Sequence, residues 1–193
     1  MTLLSSDRRY TGRILNLDVD TVRFPDGSSG QLEMIRHPGA AAVVPLLDPP
    51  DAPDPRVLLI RQFRHAADGF IWEIPAGRLD LGERPESCAL RELEEEAGFR
   101  ADEVRHLITI HTTPGFTDER IHLFLATGLH AGLHAGLHRR EPDEFLEVHT
   151  LPWSRVAGMI ERGEITDAKT LSALLFVHAF LLQGRIEAGD AVG

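Results

Sequence analysis

The segment from residue 77 to residue 99 constrains the fold more than any other, because it joins a tight loop to an acidic helix. It reads Gly-Arg-Leu-Asp-Leu-Gly-Glu-Arg-Pro-Glu-Ser-Cys-Ala-Leu-Arg-Glu-Leu-Glu-Glu-Glu-Ala-Gly-Phe. Pro85 suits the first turn of a helix, where its missing N–H needs no partner, and Gly98 is typical of a helix end. Apolar residues recur between them at helical spacing. The pattern therefore predicts a helix from Pro85 to Ala97.

The carboxylates of this helix are crowded, since four of the five residues from 92 to 96 are glutamates. Glu92 and Glu96 project only about 40° apart on the helix surface. Arg91 and Glu95 are four residues apart and can pair along the neighbouring stripe. Like charges at this spacing destabilise a solvated helix, whereas a bound Mg²⁺ or Mn²⁺ accepts such oxygens as ligands. From the residues alone, two interpretations stay open: the charged outer face of an amphipathic helix, and a metal site.

Composition narrows the class of protein. A chain of 193 residues with 42% hydrophobic residues suffices for one sizeable domain with a packed core. No apolar stretch is long enough for a membrane helix, and the first residues lack the apolar run of a secretory signal. The single cysteine, Cys88, permits no intrachain disulfide, so we expect a cytoplasmic protein. The net charge of −10 argues against nucleic-acid polymers as partners.

Strand and helix patterns alternate along the chain. Alternating or continuous apolar runs predict strands at 14–24, 31–36, 40–47, 56–63, 70–74, 104–113, 121–126 and 145–151. Helical spacing predicts further helices at 153–162 and 167–183. Short strands of this kind with a few helices indicate an α+β or α/β fold, in which helices flank a mixed sheet.

A repeat of Ala-Gly-Leu-His between Leu129 and His138 places His130, His134 and His138 four residues apart. On a helix these side chains would share a face and could bind a transition metal. The glycines inside the repeat weaken a helix, each by about 1 kcal/mol, so we favour an extended surface loop.

The segment from Gly77 to Phe99 resembles the signature of the Nudix hydrolases at all nine of its specified positions. Enzymes of that family cleave a nucleoside diphosphate linked to another moiety, and they use a divalent metal held by this segment. The resemblance implies Mg²⁺ as cofactor, with Mn²⁺ as a plausible substitute. Such cations would also reconcile an acidic protein with an anionic substrate.

Other strings resemble the ADP-ribose pyrophosphatase branch of that family, and the resemblance covers roughly residues 11 to 184. The strings are Thr11-Gly12-Arg13-Ile14-Leu15, Ile60-Arg61-Gln62-Phe63-Arg64, Trp72-Glu73-Ile74-Pro75-Ala76-Gly77, Pro114-Gly115-Phe116-Thr117-Asp118-Glu119 and Gly163-Glu164-Ile165-Thr166-Asp167-Ala168-Lys169-Thr170. Pro114 stands fifteen residues after Phe99, where that branch commonly has a proline. Members cleave ADP-ribose to AMP and ribose 5-phosphate, and we expect this small-molecule substrate here.

The resemblance also implies an architecture. It predicts an α+β protein with an α/β/α sandwich, in which a mixed sheet lies between helices. Residues 1–38 would form an N-terminal strand subdomain, residues 39–184 the hydrolase domain and residues 185–193 a C-terminal tail. Branch members are usually homodimers in which the N-terminal strands of one chain lie against the partner, so the same contact is expected here.

Metal ligands follow from the matched positions. The resemblance assigns the metal to the backbone carbonyl of Ala76 and to the carboxylates of Glu92 and Glu96, which would count as catalytic through that metal. Glu95 matches a further carboxylate, although its pairing with Arg91 makes a structural role an equal alternative. Glu83 would reach another ion through water, or would only supply favourable charge at the helix start.

Substrate contacts are assigned in the same way. Arg64 matches an arginine that clamps the diphosphate, with a solvated surface arginine as the alternative. Glu119 matches a substrate-binding position, or it caps a loop, and Pro114 and Phe116 belong to the same matched segment. The water-orienting base is predicted as Glu144, with Glu141 and Asp143 as rivals, because the histidine repeat makes the register uncertain.

Two other functions stay open at this point. Another nucleotide-sugar diphosphatase, for instance one that prefers GDP-mannose, would share much of this pattern. A sensor that binds ADP-ribose without cleaving it is the alternative from a different class. The retained acidic cluster argues against a sensor, because crowded carboxylates are costly without a cation.

Overall fold

The computed structural model describes residues 1–132 and 145–182. The elements of these residues are β1 (Thr2–Thr11), β2 (Asn16–Arg23), β3 (Ser29–Arg36), β4 (Ala40–Pro45), β5 (Arg56–Arg64), β6 (Gly69–Glu73), β7 (Ala76–Arg78), α1 (Pro85–Ala97), β8 (Phe99–His111), β9 (Arg120–Ala131), β10 (Leu146–Pro152), α2 (Trp153–Glu161) and α3 (Ala168–Val177). A short 3₁₀ turn at His65–Ala67 and a π-helical turn at His178–Leu182 complete them.

The strands form three sheets. The N-terminal sheet has the order β1-β2-β3, and the other two have the orders β10-β5-β6 and β7-β4-β9-β8. The β7-β4-β9-β8 sheet is mixed, because β4 runs parallel to β9 and antiparallel to β7. The remaining strand pairs are antiparallel.

Strand β4 lies at the centre of the sandwich, and all of its residues are buried. Side chains of a strand point alternately to opposite faces. Ala41 and Val43 pack with Leu93 of α1 on one face. Val44 packs with Leu174 of α3 on the other face. Helices therefore cover both faces of the sheet, and the predicted α/β/α sandwich is confirmed.

Helix α1 follows the sequence pattern closely. It begins at Pro85, ends at Ala97 and is capped by Gly98 with φ 75°, whose N–H donates to the Glu94 carbonyl at 3.0 Å. A left-handed residue at this position is accessible to glycine without steric cost. The predicted bounds of this helix are confirmed.

Other elements differ from the sequence expectation. Strand β1 was not predicted, because all ten of its residues are exposed and no buried face imposes an apolar alternation. Strand β9 continues through Leu129–Ala131, so His130 lies in a strand, and its predicted place in a surface loop is wrong. The rest of the histidine repeat lies outside the described residues. Among the described helices, none is long and apolar enough to cross a membrane.

Candidate active site

A cleft of about 960 Å³ opens beside α1. Its wall is built from elements that are far apart in sequence: the β1–β2 loop, the end of β5, the start of β7, one face of α1, the β8–β9 loop and the start of α3. Four of the predicted site residues line it as side chains, namely Arg64, Glu92, Glu96 and Glu119. The cleft is therefore the candidate active site.

Three of the four predicted metal ligands, Ala76, Glu92 and Glu96, lie together in this cleft. The Ala76 N–H donates to Oε2 of Glu96 at 2.9 Å, which ties the start of β7 to the last turn of α1. Glu96 is almost fully buried, at 4% exposed, and the side chain of Glu92 is only 12% exposed. Burial of two carboxylates four residues apart is costly without a cation. With the predicted Ala76 carbonyl, their oxygens would form an oxygen-only donor set, which suits a hard cation.

Gly77 makes this arrangement possible. A Cβ atom at residue 77 would lie 1.8 Å from Oε1 of Glu92 and 2.1 Å from its Cδ. The carboxylate of Glu92 thus occupies the space that any larger side chain at residue 77 would fill. The glycine is needed for this close approach, which explains a glycine at this distance before the helix.

Arg91 donates hydrogen bonds to three carboxylates of the segment, one of which is Glu92. Its guanidinium donates to both oxygens of Glu83 at 2.9 and 3.0 Å, to Glu92 at 2.6 Å and to Glu95 at 3.1 Å. Hydrogen bonds from Arg91 lower the pKa of Glu83 to about 2, and the hydrogen bonds that Arg91 donates to Glu83, Glu95 and Glu92 raise its own pKa. Glu95 does not line the cleft. The contact with Arg91 and the position outside the cleft favour a structural role for Glu95 over a role as metal ligand.

Side chains alone do not complete a metal site. Within residues 1–132 and 145–182, no group of three or more His, Cys, Asp or Glu side chains is placed to hold a metal ion. The pair of Glu92 and Glu96 would need a backbone oxygen as a third protein ligand, and the sequence assigns that role to the carbonyl of Ala76, whose N–H donates to Glu96. Hard cations such as Mg²⁺ keep several waters and take few protein ligands, so this small donor set fits.

Another part of the wall carries positive charge. Arg64 donates from Nε and Nη2 to the two oxygens of Glu73, at 2.7 and 2.9 Å. Lys169 of α3 donates to the same carboxylate at 2.5 Å and to Asp167 at 2.9 Å. Burial favours a raised pKa for Glu73, which is 1% exposed, but Arg64 and Lys169 hold that pKa below its ordinary value. The buried carboxylate of Glu73 thus holds two positively charged side chains, Arg64 and Lys169, at the cleft.

The β8–β9 loop contributes Glu119. Its Oε2 accepts a hydrogen bond from the Thr112 hydroxyl at 2.9 Å, and its Oε1 lies 3.4 Å from Nδ1 of His37. All three residues line the cleft. Pro114 and Phe116 lie on the same loop, are exposed and do not line the cleft. Their predicted substrate contacts remain predictions.

Three residues had no role assigned from sequence: the buried Glu73, which pairs with Arg64, and the cleft residues Lys169 and His37. Glu73 and Lys169 stand in strings that carry the family resemblance, but they are 96 residues apart and no local pattern pairs them. The predicted base Glu144 and its rivals lie outside the described residues. Cys88 is fully buried, and burial raises the pKa of its thiol to about 12, so it is unsuited to act as a nucleophile.

Comparison with known proteins agrees with this geometry. The family model described as NUDIX domain matches residues 36–174. The chain belongs to the NUDIX domain family. The resemblance to Nudix hydrolases seen in the sequence is thereby confirmed.

Individual relatives cover most of the chain. A Bacillus subtilis protein named "ADP-ribose pyrophosphatase" is 35% identical over 175 residues, which is 91% of this chain and 91% of the relative. A Mycobacterium tuberculosis protein of the same name is 37% identical over 177 residues, 91% of this chain and 82% of the relative. A Bacillus methanolicus protein named "Methanol dehydrogenase activator" is 37% identical over 175 residues, 91% of both chains.

A solved structure shares the fold of this Nudix hydrolase. It is described as "Crystal structure of ADP compounds hydrolase", with a TM-score of 0.75 and 24% identity over 92% of this chain and 91% of that chain. At this level of identity the likeness concerns the fold.

Proposed function

We propose that this Nudix hydrolase cleaves the diphosphate bond of a nucleoside diphosphate sugar, and that its preferred substrate is ADP-ribose, which yields AMP and ribose 5-phosphate. One observation carries the proposal: a single cleft combines a buried carboxylate pair, packed against Gly77, with a guanidinium fixed by the buried Glu73. Such a cleft matches a diphosphate that is bound by a cation and by an arginine. Two of the relatives bear the name of that activity.

The metal proposed for this site is Mg²⁺, and Mn²⁺ would fit the same oxygen donors. It would be held by the Ala76 carbonyl, Glu92 and Glu96. A divalent cation bound there supplies positive charge against the diphosphate and activates water. Arg91 offsets the repulsion between the nearby carboxylates, because it donates to three of them.

The chain's own residues then orient the substrate. Glu73 holds the planar fork of Arg64 in one orientation, and the N–H groups of Arg64 that face away from Glu73 are suited to the diphosphate oxygens. Charge that develops on the leaving phosphate is stabilised by this prepositioned guanidinium without further reorganisation. The predicted general base that would orient the attacking water is Glu144.

A substrate panel tests the function. Purified protein with Mg²⁺ is incubated with ADP-ribose, GDP-mannose and other nucleotide sugars, and the products are identified by chromatography. We expect kcat/KM for ADP-ribose to exceed that for GDP-mannose by at least about tenfold, equivalent to 1.4 kcal/mol of differential transition-state binding. Equal rates or the reverse order would assign the chain to the general nucleotide-sugar diphosphatases. Metal-independent binding of ADP-ribose without turnover would favour a sensor.

We further propose that the protein is a homodimer that acts in the cytoplasm, and that residues 1–38 form the subdomain making the dimer contact. Every residue of β1 is exposed, including Leu3 at 56%, Leu4 at 48% and Tyr10 at 57%. A long, exposed strand with apolar side chains at the edge of a sheet is a surface that proteins usually cover. Sedimentation velocity of the wild type should give a molecular mass of twice the chain mass. For Leu4→Asp the mass should fall toward that of a single chain.

A further inference from the structure

The end of β3 is joined to the β8–β9 loop, residues 112–119. The Ile35 N–H donates to the Phe116 carbonyl at 2.8 Å, and the Asp118 N–H donates to the Ile35 carbonyl at 3.3 Å. Ile35 and Thr117 form a parallel bridge. The backbone of the N-terminal sheet therefore supports the loop that carries Glu119.

Arg36 adds a charged connection between the same two parts. Its Nε donates to Asp18 at 3.1 Å, its Nη2 donates to Asp20 and its Nη1 donates to Asp118 at 3.3 Å. Asp18 and Asp20 belong to β2 and are each 6% exposed. Hydrogen bonds to these carboxylates, first of all to Asp20, raise the pKa of Arg36. One guanidinium thus links two buried carboxylates of the N-terminal sheet with one carboxylate of the loop.

Asp118 is held through both of its oxygens. While Oδ2 accepts from Arg36, Oδ1 accepts the backbone N–H of His37 at 2.9 Å. The next residue in each segment faces the cleft: His37 follows Arg36, and Glu119 follows Asp118. Adjacent Cα atoms are only about 3.8 Å apart, so displacement of Asp118 moves Glu119 with it.

We propose that Arg36 and Asp118 are positioning residues, and that their ion pair couples the N-terminal sheet to substrate binding by holding Glu119 at the cleft. The inference rests on the proposed role of Glu119 as a substrate contact. It extends that role because it gives the N-terminal sheet a function in binding besides dimer contact. The Arg36 and Asp118 side chains are 30% and 42% exposed, and such a pair contributes little to stability. The effect of breaking it should therefore appear in substrate binding rather than in the melting temperature.

The test compares two variants that weaken the contacts of Asp118 with Arg36 and His37 to different extents. Asp118→Asn keeps an oxygen for the His37 N–H but loses the charge, and Asp118→Ala loses both contacts. We expect Asp118→Ala to raise KM for the best substrate of the panel by about tenfold, because displacement of a contact by about 1 Å is costly. Asp118→Asn should raise KM less, and kcat should stay within threefold for both variants. The control is Arg8→Gln, which removes an arginine from Asp18 without touching the loop, and its KM should stay within twofold.

Two further measurements separate positioning from general loosening. If Asp118 acts through Glu119, the double variant with Glu119→Gln should have a KM within twofold of Glu119→Gln alone. Hydrogen exchange of the peptide covering residues 112–119 should rise in Asp118→Ala and stay at the wild-type level in Arg8→Gln.

The results that would overturn this inference differ from those that would overturn the proposed substrate. An Asp118→Ala variant with KM within twofold of wild type would overturn the inference, and so would effects of Asp118→Ala and Glu119→Gln that simply multiply. The kinetics use whichever nucleotide sugar proves best, so a wrong assignment of ADP-ribose would leave this test intact. A normal KM in Glu119→Gln alone would refute the proposed role of Glu119 and, with it, this coupling.

Discussion

Substitution of Gly77 by alanine is the most direct test of the candidate site, because the structure gives the distance by which the added Cβ atom would overlap the Glu92 carboxylate. The added Cβ would lie 1.8 Å from Oε1 of Glu92, and real Cβ contacts essentially never fall below 3.0 Å. The carboxylate must therefore retreat by at least 1.2 Å, the difference between these two distances. Mg²⁺ requires oxygen ligands near 2.0–2.1 Å, so this shift removes Glu92 as a ligand.

The expected magnitude follows from the loss of one such group. A loss of about 2–4 kcal/mol of transition-state stabilisation lowers turnover roughly 10²- to 10³-fold. The fold should be little affected, because the atoms in conflict belong to the end of a flexible side chain and not to the backbone. Gly77→Ala should therefore have a melting temperature close to that of the wild type and very low activity.

The assay is steady-state hydrolysis of the best nucleotide sugar at several Mg²⁺ concentrations, together with thermal unfolding. Gly69→Ala is the matched control, because a Cβ atom there meets nothing within 4 Å. It should retain activity within about twofold of wild type, as expected for a surface substitution. If Gly77→Ala keeps kcat/KM within threefold of the wild type at every Mg²⁺ concentration, Glu92 is not a ligand at this position.

Three other predictions concern individual carboxylates. Glu96→Gln should lower turnover by about 10²- to 10³-fold while the fold stays intact, and wild-type rates would contradict the metal-site assignment. Glu144→Gln should lower kcat strongly and leave KM within a few-fold, because a water-orienting base acts mainly in the transition state; loss of kcat in Glu141→Gln or Asp143→Asn instead would shift the register. Hydrogen bonds from Arg56 lower the pKa of Asp48 from 3.8 to about 2, so the stability contributed by this carboxylate is present above pH 3.8 and lost as the pH falls toward 2. The difference in melting temperature between wild type and Asp48→Asn should shrink over that range, and a constant difference would refute the assigned pKa.

The sequence predicted those helices and strands that bury one face or all of their residues, because burial imposes a regular apolar pattern. Helix α1 has its predicted bounds because Pro85, Gly98 and the apolar spacing between them all act within a few residues. The buried strand β4 was likewise predictable from its apolar run, and helices flanking the sheet were predictable from the mixture of short strands and helices. Strand β1 was not, because none of its residues is buried and its sequence shows no alternation of apolar and polar residues.

By itself, the sequence determined the carboxylate pair of α1 and the glycine before it, since their spacing along the chain sets how a helix and its preceding loop can place them. Only the tertiary structure decided what surrounds that pair. Glu73 meets Lys169 across 96 residues, and Arg36 meets Asp118 across 82. Such contacts depend on how sheets and helices pack and on which loops that packing brings together. The periodicity of a local segment carries no information about such contacts. For that physical reason, the positively charged wall of the cleft and the Arg36–Asp118 pair at the β8–β9 loop could be identified only from the tertiary structure.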